Sequence, residues 1–241
     1  MIKVRMMSLM VMLTAIGLTF ITVPAHADLD ADDRVAIQRE IETYIKANPE
    51  ILRDALVALA AREDIERRRA GMAQLRDDAG DPVMGNPDGK ITLYEFSDYN
   101  CGYCKRMFGA ISSLLSSNPD VRLVIKEFPI LSQSSLVAAK AGIAAQKQGK
   151  FPAFHTAMMT YRGQVSDESI AAAAREAGID LEQFKRDMTA AETNRIIERT
   201  RRAAAVLEIN GTPGFIIEDR VIPGAVDIKQ LQALIDQARA K

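Results

Sequence analysis

The chain has 241 residues, 48% of them hydrophobic and 26% charged, and its formal net charge is −1. These values are typical of a folded protein and exclude a disordered, collagen-like or multi-span membrane chain. The near-neutral charge provides no electrostatic basis for nucleic-acid binding, so we expect no nucleic-acid partner. Two Cys and two His are the bare minimum for a zinc cage, and we expect no metal site.

The first 27 residues (1–27) have the pattern of a secretory signal peptide. Lys3 and Arg5 precede an apolar stretch from Met6 to Val23, and Ala25-His26-Ala27 is a small-x-small cleavage site. A retained membrane anchor is the alternative, but Thr and Gly residues dilute the stretch and favour cleavage after Ala27. We therefore expect export to the bacterial periplasm, where paired cysteines can oxidise and stay oxidised.

Residues 28–80 are charge-rich and have helical patterns. An apolar stripe predicts a first helix from about Ala31 to Ala47, and Asn48-Pro49-Glu50 marks the start of a second. Helices with one apolar stripe each cannot form a core of their own. We therefore expect this segment and its linker to associate with copies of itself, the alternative being a helical hairpin packed on its own domain. Breakers from Gly80 onward place the domain boundary there.

From residue 81 to 241 we expect one α/β domain. Four segments predict strands: Ile91–Phe96, Val121–Phe128, Phe215–Glu218 and Val221–Ile222. The first two enclose a helix, which makes a βαβ unit. A helical insertion is predicted over about 132–208, with pieces at 167–194 broken near Gly178 and a separate helix at 198–207. The last helix is expected from Asp227 to Ala240. Together these elements predict a mixed sheet with a large helical insertion.

Cys101 and Cys104, the only two cysteines, lie directly after a predicted strand and at the start of a predicted helix. At this spacing on a first helical turn, their sulfurs can reach bonding distance. The unpaired N–H groups and the positive end of the helix dipole stabilise a thiolate. We therefore expect a redox-active disulfide and no other cofactor, with Cys101 as the nucleophile and Cys104 as the resolving thiol.

Two other interpretations of the cysteine pair are weaker. A structural disulfide that closes so short a loop removes little entropy from the unfolded chain. Two thiolates can also hold Cu(I), but no Met or His lies within the motif and His155 is far away in sequence. The strand-to-helix context therefore favours redox exchange.

A second motif, Gly211-Thr212-Pro213-Gly214-Phe215, comes immediately before a predicted strand. Alone, a Pro between Gly residues is most often a turn. Downstream of a redox cysteine pair it predicts a cis peptide bond before Pro213. The Thr212 backbone would then be free to pair with an extended substrate segment beside Cys101.

Glu95 is an acid in an otherwise apolar strand, six residues before Cys101. Two interpretations stand nearly equal. Its side chain is either buried beneath the active site, where burial raises its pKa and lets it exchange a proton with Cys104, or it lies on an exposed strand face. Lys126 is a less favoured partner for it. His155 is expected to be a packing residue on its helix rather than a catalyst.

These segments together resemble one family. The motifs are EFSDYNCGYC (95–104), KEFPIL (126–131), GTPGF (211–215) and VIPGA (221–225). They resemble the DsbA-like thioredoxin-fold oxidoreductases and, within them, the ScsC and Com1-type branch. AIQREIETYIKANPEILRDAL (36–56) is similar to the helical extension that precedes the catalytic domain of ScsC-like proteins.

The resemblance implies a thioredoxin fold with an inserted helical subdomain, preceded by an oligomerisation segment. It implies the roles already given for Cys101 and Cys104, a cis Pro213 after Thr212, and Glu95 as the family's buried acid. It also implies a homo-oligomer, a trimer in ScsC, and a membrane reductase of the DsbD/ScsB type as electron donor.

One departure from the family concerns the residues between the cysteines. The strongly oxidising DsbA type has Pro-His there, whereas this chain has Gly102-Tyr103 and no imidazole to stabilise the thiolate. We therefore expect an isomerase or reductase acting on exported proteins with wrong or missing disulfides. The alternatives are a DsbA-like oxidase recycled by a DsbB-type partner, and a copper-binding or client-holding protein of a copper-tolerance system.

Overall fold

The computed structural model describes residues 30–241. The predicted signal peptide, residues 1–27, lies outside the described residues. The chain divides into two compact units, Met1–Val57 and Ala58–Lys241.

In the first unit, helix α1 spans Ala31–Ala47, as predicted. The Asp30 side chain accepts hydrogen bonds from two N–H groups of the first turn and forms a capping box with Asp33, which satisfies donors that a helix start leaves unpaired. Asn48 ends the helix, and Pro49 begins α2, Pro49–Arg76. No residue of α1 is buried.

The C-terminal part of α2 belongs to the second unit. Its buried residues are Gly71, Met72 and Leu75, and the latter two pack in one core cluster with Phe96 of the sheet. The compact units therefore divide at residue 57, within α2, whereas the sequence placed a boundary near Gly80. The difference arises because these few apolar positions lie in a mostly charged stretch, residues 62–78, that the sequence pattern does not tie to the following domain.

The second unit is built on one mixed sheet of five strands in the order β1-β3-β2-β4-β5. The strands are β1 Val83–Gly85, β2 Ile91–Ser97, β3 Val121–Glu127, β4 Gly214–Ile217 and β5 Arg220–Pro223. β2 and β3 are parallel, and the other neighbours are antiparallel. The predicted βαβ unit and hairpin are therefore confirmed.

The short edge strand β1 was not predicted, because the sequence has breakers at 80–82 and 85–89. Val83 pairs with Val124 and Gly85 with Arg122. Gly85 has φ +73, and a Cβ there would lie 2.8 Å from the Val121 carbonyl oxygen. Only glycine suits that conformation and close approach, so the breaker pattern here marks a strand end.

Seven helices complete the second unit: α3 Gly102–Ser117, α4 Gln133–Lys147, α5 Phe151–Thr160, α6 Asp167–Glu176, α7 Leu181–Thr189, α8 Ala191–Val206 and α9 Ile228–Arg239. Helices α4 to α8 form the predicted insertion between β3 and β4. The break predicted between residues 194 and 198 was wrong, because α8 runs through it. The chain instead breaks at Ala190, whose extended conformation, φ −62 and ψ 144, ends α7.

Apolar side chains cover both faces of the sheet. One face carries the larger core cluster, which includes Leu93, Ile125 and both cysteines. The opposite face carries Phe96, Val124 and the end of α2. Among residues 30–241, no helix is long and apolar enough to cross a membrane.

Candidate active site

The two cysteines lie at the start of α3, after the short turn that follows β2. Cys101 is the N-cap of α3, with an extended backbone (φ −75, ψ 112), and its Sγ accepts a hydrogen bond from the Cys104 N–H at 3.3 Å. Both residues are free thiols and buried, Cys101 at 4% exposure and Cys104 at 1%. A sulfur in the position of a capping oxygen is stabilised as a thiolate by the helix start.

The Thr212–Pro213 peptide bond is cis, as predicted. In its thiol form, the Cys101 Sγ donates to the Thr212 carbonyl oxygen at 3.2 Å. The motif before β4 and the cysteine motif, 111 residues apart in sequence, therefore meet at this sulfur. The Thr212 backbone lies beside the atom that a client disulfide must reach.

The environment separates the acidities of the two thiols. A hydrogen bond from the Cys104 thiol, supported by the backbone N–H groups of Cys104 and Tyr103, lowers the pKa of Cys101 to about 5 against the opposing effect of burial. The same bond, together with burial and the nearby Glu95 carboxyl, raises the pKa of Cys104 far above its usual value. At neutral pH, Cys101 is therefore the thiolate and Cys104 holds the proton.

Glu95 lies inside the protein, which settles the choice between the two orientations. It is 3% exposed and lies on the same sheet face as Leu93 and the cysteines. Burial raises the pKa of Glu95 to about 8, and the charge of Cys101 adds to this effect. Its carboxyl is therefore protonated at neutral pH while the thiolate is present.

Lys126 does not pair with Glu95. It lies on the opposite face of the sheet, where its Nζ contacts Asp81 Oδ2 at 2.5 Å and both side chains are almost fully buried. Arg199 of α8 reaches the same oxygen at 3.0 Å. The residue pairing explains the separation, because Lys126 is opposite Phe96, whereas Glu95 is opposite Ile125.

A second buried acid lies on the Glu95 face. Glu127, at the end of β3, is 1% exposed, and burial raises its pKa well above the usual value. The Tyr99 hydroxyl lies 3.1 Å from Glu127 Oε1 and 3.0 Å from His155 Nδ1. Since burial also lowers the pKa of His155 to about 3, this ring is neutral. It packs among aromatic rings, in agreement with its predicted packing role.

Asp98 holds the chain around the cysteines. Its backbone oxygen accepts from the Cys101 N–H at 2.9 Å, and its Oδ1 accepts from the Asn100 N–H at 2.8 Å. Oδ2 accepts from the N–H groups of Ile130 and Leu131 at 3.0 and 3.1 Å. The loop after β3 is thus fixed against the active-site turn.

Large apolar side chains stay exposed around this turn. They are Tyr103 at 58%, Ile130 at 42%, Leu131 at 53% and Tyr161 at 40%. Tyr103 lies between the cysteines, and the Tyr161 carbonyl accepts from Lys105 Nζ at 2.9 Å. Large exposed apolar side chains near a reactive group indicate contact with another molecule.

The sequence predicts five residues of this site, and the structure places all of them together: Cys101, Cys104, Thr212, Pro213 and Glu95. Three further residues of the site were not predicted: Glu127, Tyr99 and Asp98. The signal for Glu127 was available, because it is an acid in an apolar strand, the same pattern that singled out Glu95. Among residues 30–241, no group of three or more His, Cys, Asp or Glu is placed to hold a metal ion.

Solved structures have the same architecture. A thioredoxin-like oxidoreductase from Silicibacter pomeroyi is 44% identical, with a TM-score of 0.66 over 70% of this chain and 97% of that one. A periplasmic thioredoxin-like protein from Salmonella enterica serovar Typhimurium is 30% identical, with a TM-score of 0.64 over 71% of this chain and 97% of that one. Proteus mirabilis ScsC in a transitional conformation is 28% identical, with a TM-score of 0.65 over 89% of this chain and 98% of that one.

Curated relatives match by a part of their length only. Na(+)/H(+) antiporter NhaA of Herminiimonas arsenicoxydans is 28% identical over 160 residues, which are 66% of this chain and 26% of that protein. The chain thus spans about a quarter of the length of the curated relatives that it matches.

The mixed sheet, the helical insertion, the dithiol at a helix start and the cis proline beside it define a thioredoxin-fold protein of the DsbA/ScsC type. The sequence profile of the DSBA-like thioredoxin domain matches residues 92–236. The chain belongs to the DSBA-like thioredoxin domain family.

Proposed function

We propose that this protein is a periplasmic thiol–disulfide oxidoreductase that reduces or isomerises disulfides of exported proteins. The observation that carries the proposal is the difference in acidity between the two thiols. Cys101 is held as an N-cap thiolate beside the Thr212 carbonyl, and Cys104 keeps its proton one turn further into the helix. A nucleophile and a resolving thiol require this asymmetry.

The reaction is a sequence of thiolate attacks. The Cys101 thiolate attacks one sulfur of a client disulfide, so a mixed disulfide forms and the other client sulfur leaves as a thiolate. Isomerisation follows when that client thiolate, or another one, attacks the mixed disulfide and releases Cys101. Alternatively, Cys104 loses its proton and attacks Cys101, which reduces the client and leaves a Cys101–Cys104 disulfide.

Glu95 is the proposed proton acceptor for Cys104. The electrostatic coupling of its carboxyl to both thiols supports this role, as does a pKa near the working pH. When the thiolate charge disappears into the mixed disulfide, the repulsion that raises the pKa of Glu95 falls. The carboxyl then ionises more readily as Cys104 becomes the next nucleophile.

The residues between the cysteines favour an isomerase or reductase over an oxidase. Gly102 and Tyr103 supply no imidazole to the Cys101 thiolate, and the buried, neutral His155 is engaged with Tyr99. A thiolate with fewer stabilising partners makes the disulfide form less oxidising. An oxidase coupled to a DsbB-type partner is the competing outcome, and copper sequestration by the two thiols is another.

The N-terminal helices are the proposed oligomerisation segment. Ile41, Tyr44, Leu52 and Leu56 are each about half exposed or more, and apolar surface of this extent is normally covered. The match to ScsC covers 89% of the chain, more than the second compact unit alone contains. A trimer, as the resemblance implies, would present several active sites to one client.

The proposal also includes export of the protein to the periplasm and a partner that keeps its cysteines reduced there. The signal-peptide pattern in residues 1–27 supports transport to the periplasm, with cleavage after Ala27. An isomerase must be kept reduced there, so the proposed electron donor is a membrane reductase of the DsbD/ScsB type.

The first test uses the reduced mature protein with a scrambled disulfide substrate and no added oxidase. Reactivation of the substrate is expected, and a Cys101→Ser variant should abolish it, because the attacking sulfur is gone. Cys104→Ser should instead accumulate mixed disulfides with clients. No reactivation together with rapid oxidation of a reduced substrate would assign the protein to the oxidases. Stoichiometric Cu(I) binding without trapped clients would favour sequestration.

A second test concerns assembly. Replacing Leu52 and Leu56 by Asp leaves the helix intact, because both side chains are exposed. We expect the oligomer to dissociate into monomers in light scattering, while the substitution of Glu63, on the same helix, by Asp should leave the mass unchanged. A wild-type protein that is itself monomeric would refute the oligomer.

A further inference from the structure

We propose that Lys105, Arg106 and Arg162 form a cationic subsite beside the cysteine pair, and that this subsite binds the carboxylates of a small disulfide substrate. Disulfides of cysteine-containing amino acids and short peptides belong to this chemical class. The inference rests on the proposed function, because the reaction is the same thiolate attack, and it adds a second class of substrate.

Arg106 lies across the two residues that separate the cysteines. Its guanidinium carbon is 4.0 Å from the centre of the Tyr103 ring, which is within the range of a cation–π contact. A Cβ at Gly102 would lie 3.4 Å from Arg106 Nη1, so the missing side chain leaves room for the guanidinium. Since Tyr103 is 58% exposed, this cation is oriented at the surface of the active-site turn.

Lys105 supplies a second cation from the preceding position of α3. Its Nζ donates to the Tyr161 carbonyl oxygen at 2.9 Å and lies 5.8 Å from the centre of the Tyr161 ring. Burial and the positive charge of Arg162, the residue after Tyr161, lower the pKa of Lys105. Two like charges thus lie near each other here, an arrangement that an added carboxylate would stabilise.

No carboxylate of the described chain neutralises these cations. Within residues 30–241, none of the three forms an ion pair. Two acids that precede the cysteines, Glu95 and Asp98, are only 3% and 2% exposed, and both carboxylate oxygens of Asp98 already accept backbone N–H groups. The tyrosine rings and the backbone carbonyl orient the cations but leave their charge uncompensated.

The charge of the nucleophile makes these cations necessary for an anionic substrate. Cys101 is a thiolate at neutral pH, so it repels a carboxylate that approaches its sulfur. The formal net charge of the chain is only −1, so the protein as a whole supplies no attraction, and local cations must offset the repulsion. Two separately oriented groups, Arg106 and the Lys105/Arg162 pair, suit a substrate with one carboxylate near each sulfur.

The reaction reduces the small disulfide to two thiols. The Cys101 thiolate attacks one sulfur, a mixed disulfide forms, and the other half of the substrate leaves as a thiolate. Cys104 then gives up its proton and attacks the Cys101 sulfur, which releases the second half. The protein is left with a Cys101–Cys104 disulfide, so two electrons pass from the dithiol to the substrate.

The test compares two small disulfides, 3,3′-dithiodipropionate, which has a carboxylate on each half, and its uncharged diamide. The quantity measured is the ratio of their second-order rate constants with the reduced full-length protein, divided by the same ratio for 2-mercaptoethanol, which corrects for intrinsic reactivity. We expect a corrected ratio of about five, the effect of two exposed ion pairs. At 1 M NaCl, where charges are screened beyond about 3 Å, the ratio should fall towards one.

Substitutions at the exposed ends of the subsite locate the effect. Arg106→Gln and Arg162→Gln should each lower the corrected ratio by about half, because each removes one ion pair. The triple substitution of Lys105, Arg106 and Arg162 by Gln should bring the ratio to one. Arg106→Lys keeps the positive charge and should retain most of the wild-type ratio.

Arg69→Gln is the matched control. It also removes one exposed cation, but from α2, whose buried end packs on the sheet face opposite the cysteines, so it should leave the corrected ratio unchanged. A wild-type ratio near one, or a high ratio that survives the triple substitution, would overturn the subsite. A preference found only for Asp over Asn beside the cysteine of a peptide would also overturn it, in favour of acidic protein clients.

The outcome for the proposed function is separate. A wild type that reacts with neither small disulfide but reactivates the scrambled protein substrate would overturn the subsite alone. Failure of both reactions would overturn the proposed function itself.

Discussion

The two faces of the central sheet bury ionisable groups by opposite means. On one face, Lys126 is 1% exposed and paired with Asp81, which Arg199 also contacts. On the other face, Glu95 and Glu127 are buried to a similar degree, and among residues 30–241 neither carboxylate has an ion pair. The first face pairs its charged groups, whereas on the second face burial raises the pKa of both acids.

This difference separates structural roles from chemical ones. A buried ion pair with several contacts holds elements in place; here it fixes residues 77–81, since Arg199 also donates to the Ala79 carbonyl. Glu95, a buried acid without an ion pair, has a pKa of about 8, which makes it available for proton transfer near neutral pH. The thiols lie on the face of the second kind.

The largest expected effect on stability comes from removing the buried ion pair between Lys126 and Asp81. Lys126→Met leaves the Asp81 carboxylate buried with a single partner, Arg199, and should lower the free energy of unfolding by about 3–5 kcal/mol. Urea unfolding at pH 7 measures it. Adding Asp81→Asn should restore most of the loss, and Lys185→Met, in an exposed pair with Glu182, should have almost no effect. Equal effects of the two Lys substitutions would contradict the comparison.

On the face without ion pairs, Glu95 should make the free energy of unfolding depend on pH. The pKa of Glu95 is about 8 in the folded protein against 4.5 for the free side chain. Between these values the folded state holds a proton that the unfolded state has lost, so stability falls as pH rises, by about 1.4 kcal/mol per pH unit. The contribution is complete below pH 4.5 and lost by about pH 8.

Glu95→Gln removes this titration. Between pH 5 and pH 7 the wild type should lose about 3 kcal/mol more of its unfolding free energy than the variant does. Urea unfolding at a series of pH values tests this, with Glu182→Gln, an exposed acid, as the control. Parallel curves for wild type and Glu95→Gln would mean that Glu95 is charged in the folded protein.

A smaller effect on stability is expected where α4 packs against Glu127. A Cβ at Gly142 would overlap Glu127 Oε1 and lie 2.9 Å from Tyr99 Oη. Gly142→Ala should therefore destabilise the protein by about 1–3 kcal/mol through overpacking. Gly109→Ala, in α3 with nothing within 4 Å of the added carbon, should be neutral or stabilising. Thermal unfolding of the two variants compares them directly, and equal midpoints would refute close packing at Glu127.

Some features of the two faces could be predicted from the sequence, and others could not. Local signals located the cysteine pair, the cis proline and the main strands, because each depends on a few adjacent residues. The orientation of Glu95 and the partner of Lys126 depend on strand register. An alternation of apolar and polar residues would fix that register, but these strands are apolar on both faces. The short β1 likewise depends on its pairing with β3, and the helix break at Ala190, within the insertion, carries no Gly or Pro that would mark it.

Tyr99 gives the buried network a property that neither acid has alone. It has one hydroxyl proton and two neighbours, Glu127 and His155. If protonated Glu127 turns its O–H towards Tyr99, the Tyr99 hydroxyl is free to donate to His155 Nδ1, and the ring then carries its proton on Nε2. When Glu127 ionises, Tyr99 turns to it, and His155 must carry the proton on Nδ1 to complete the chain. The tautomer of an uncharged imidazole thus reports the protonation of a carboxyl two side chains away, and nitrogen NMR of one histidine would read it.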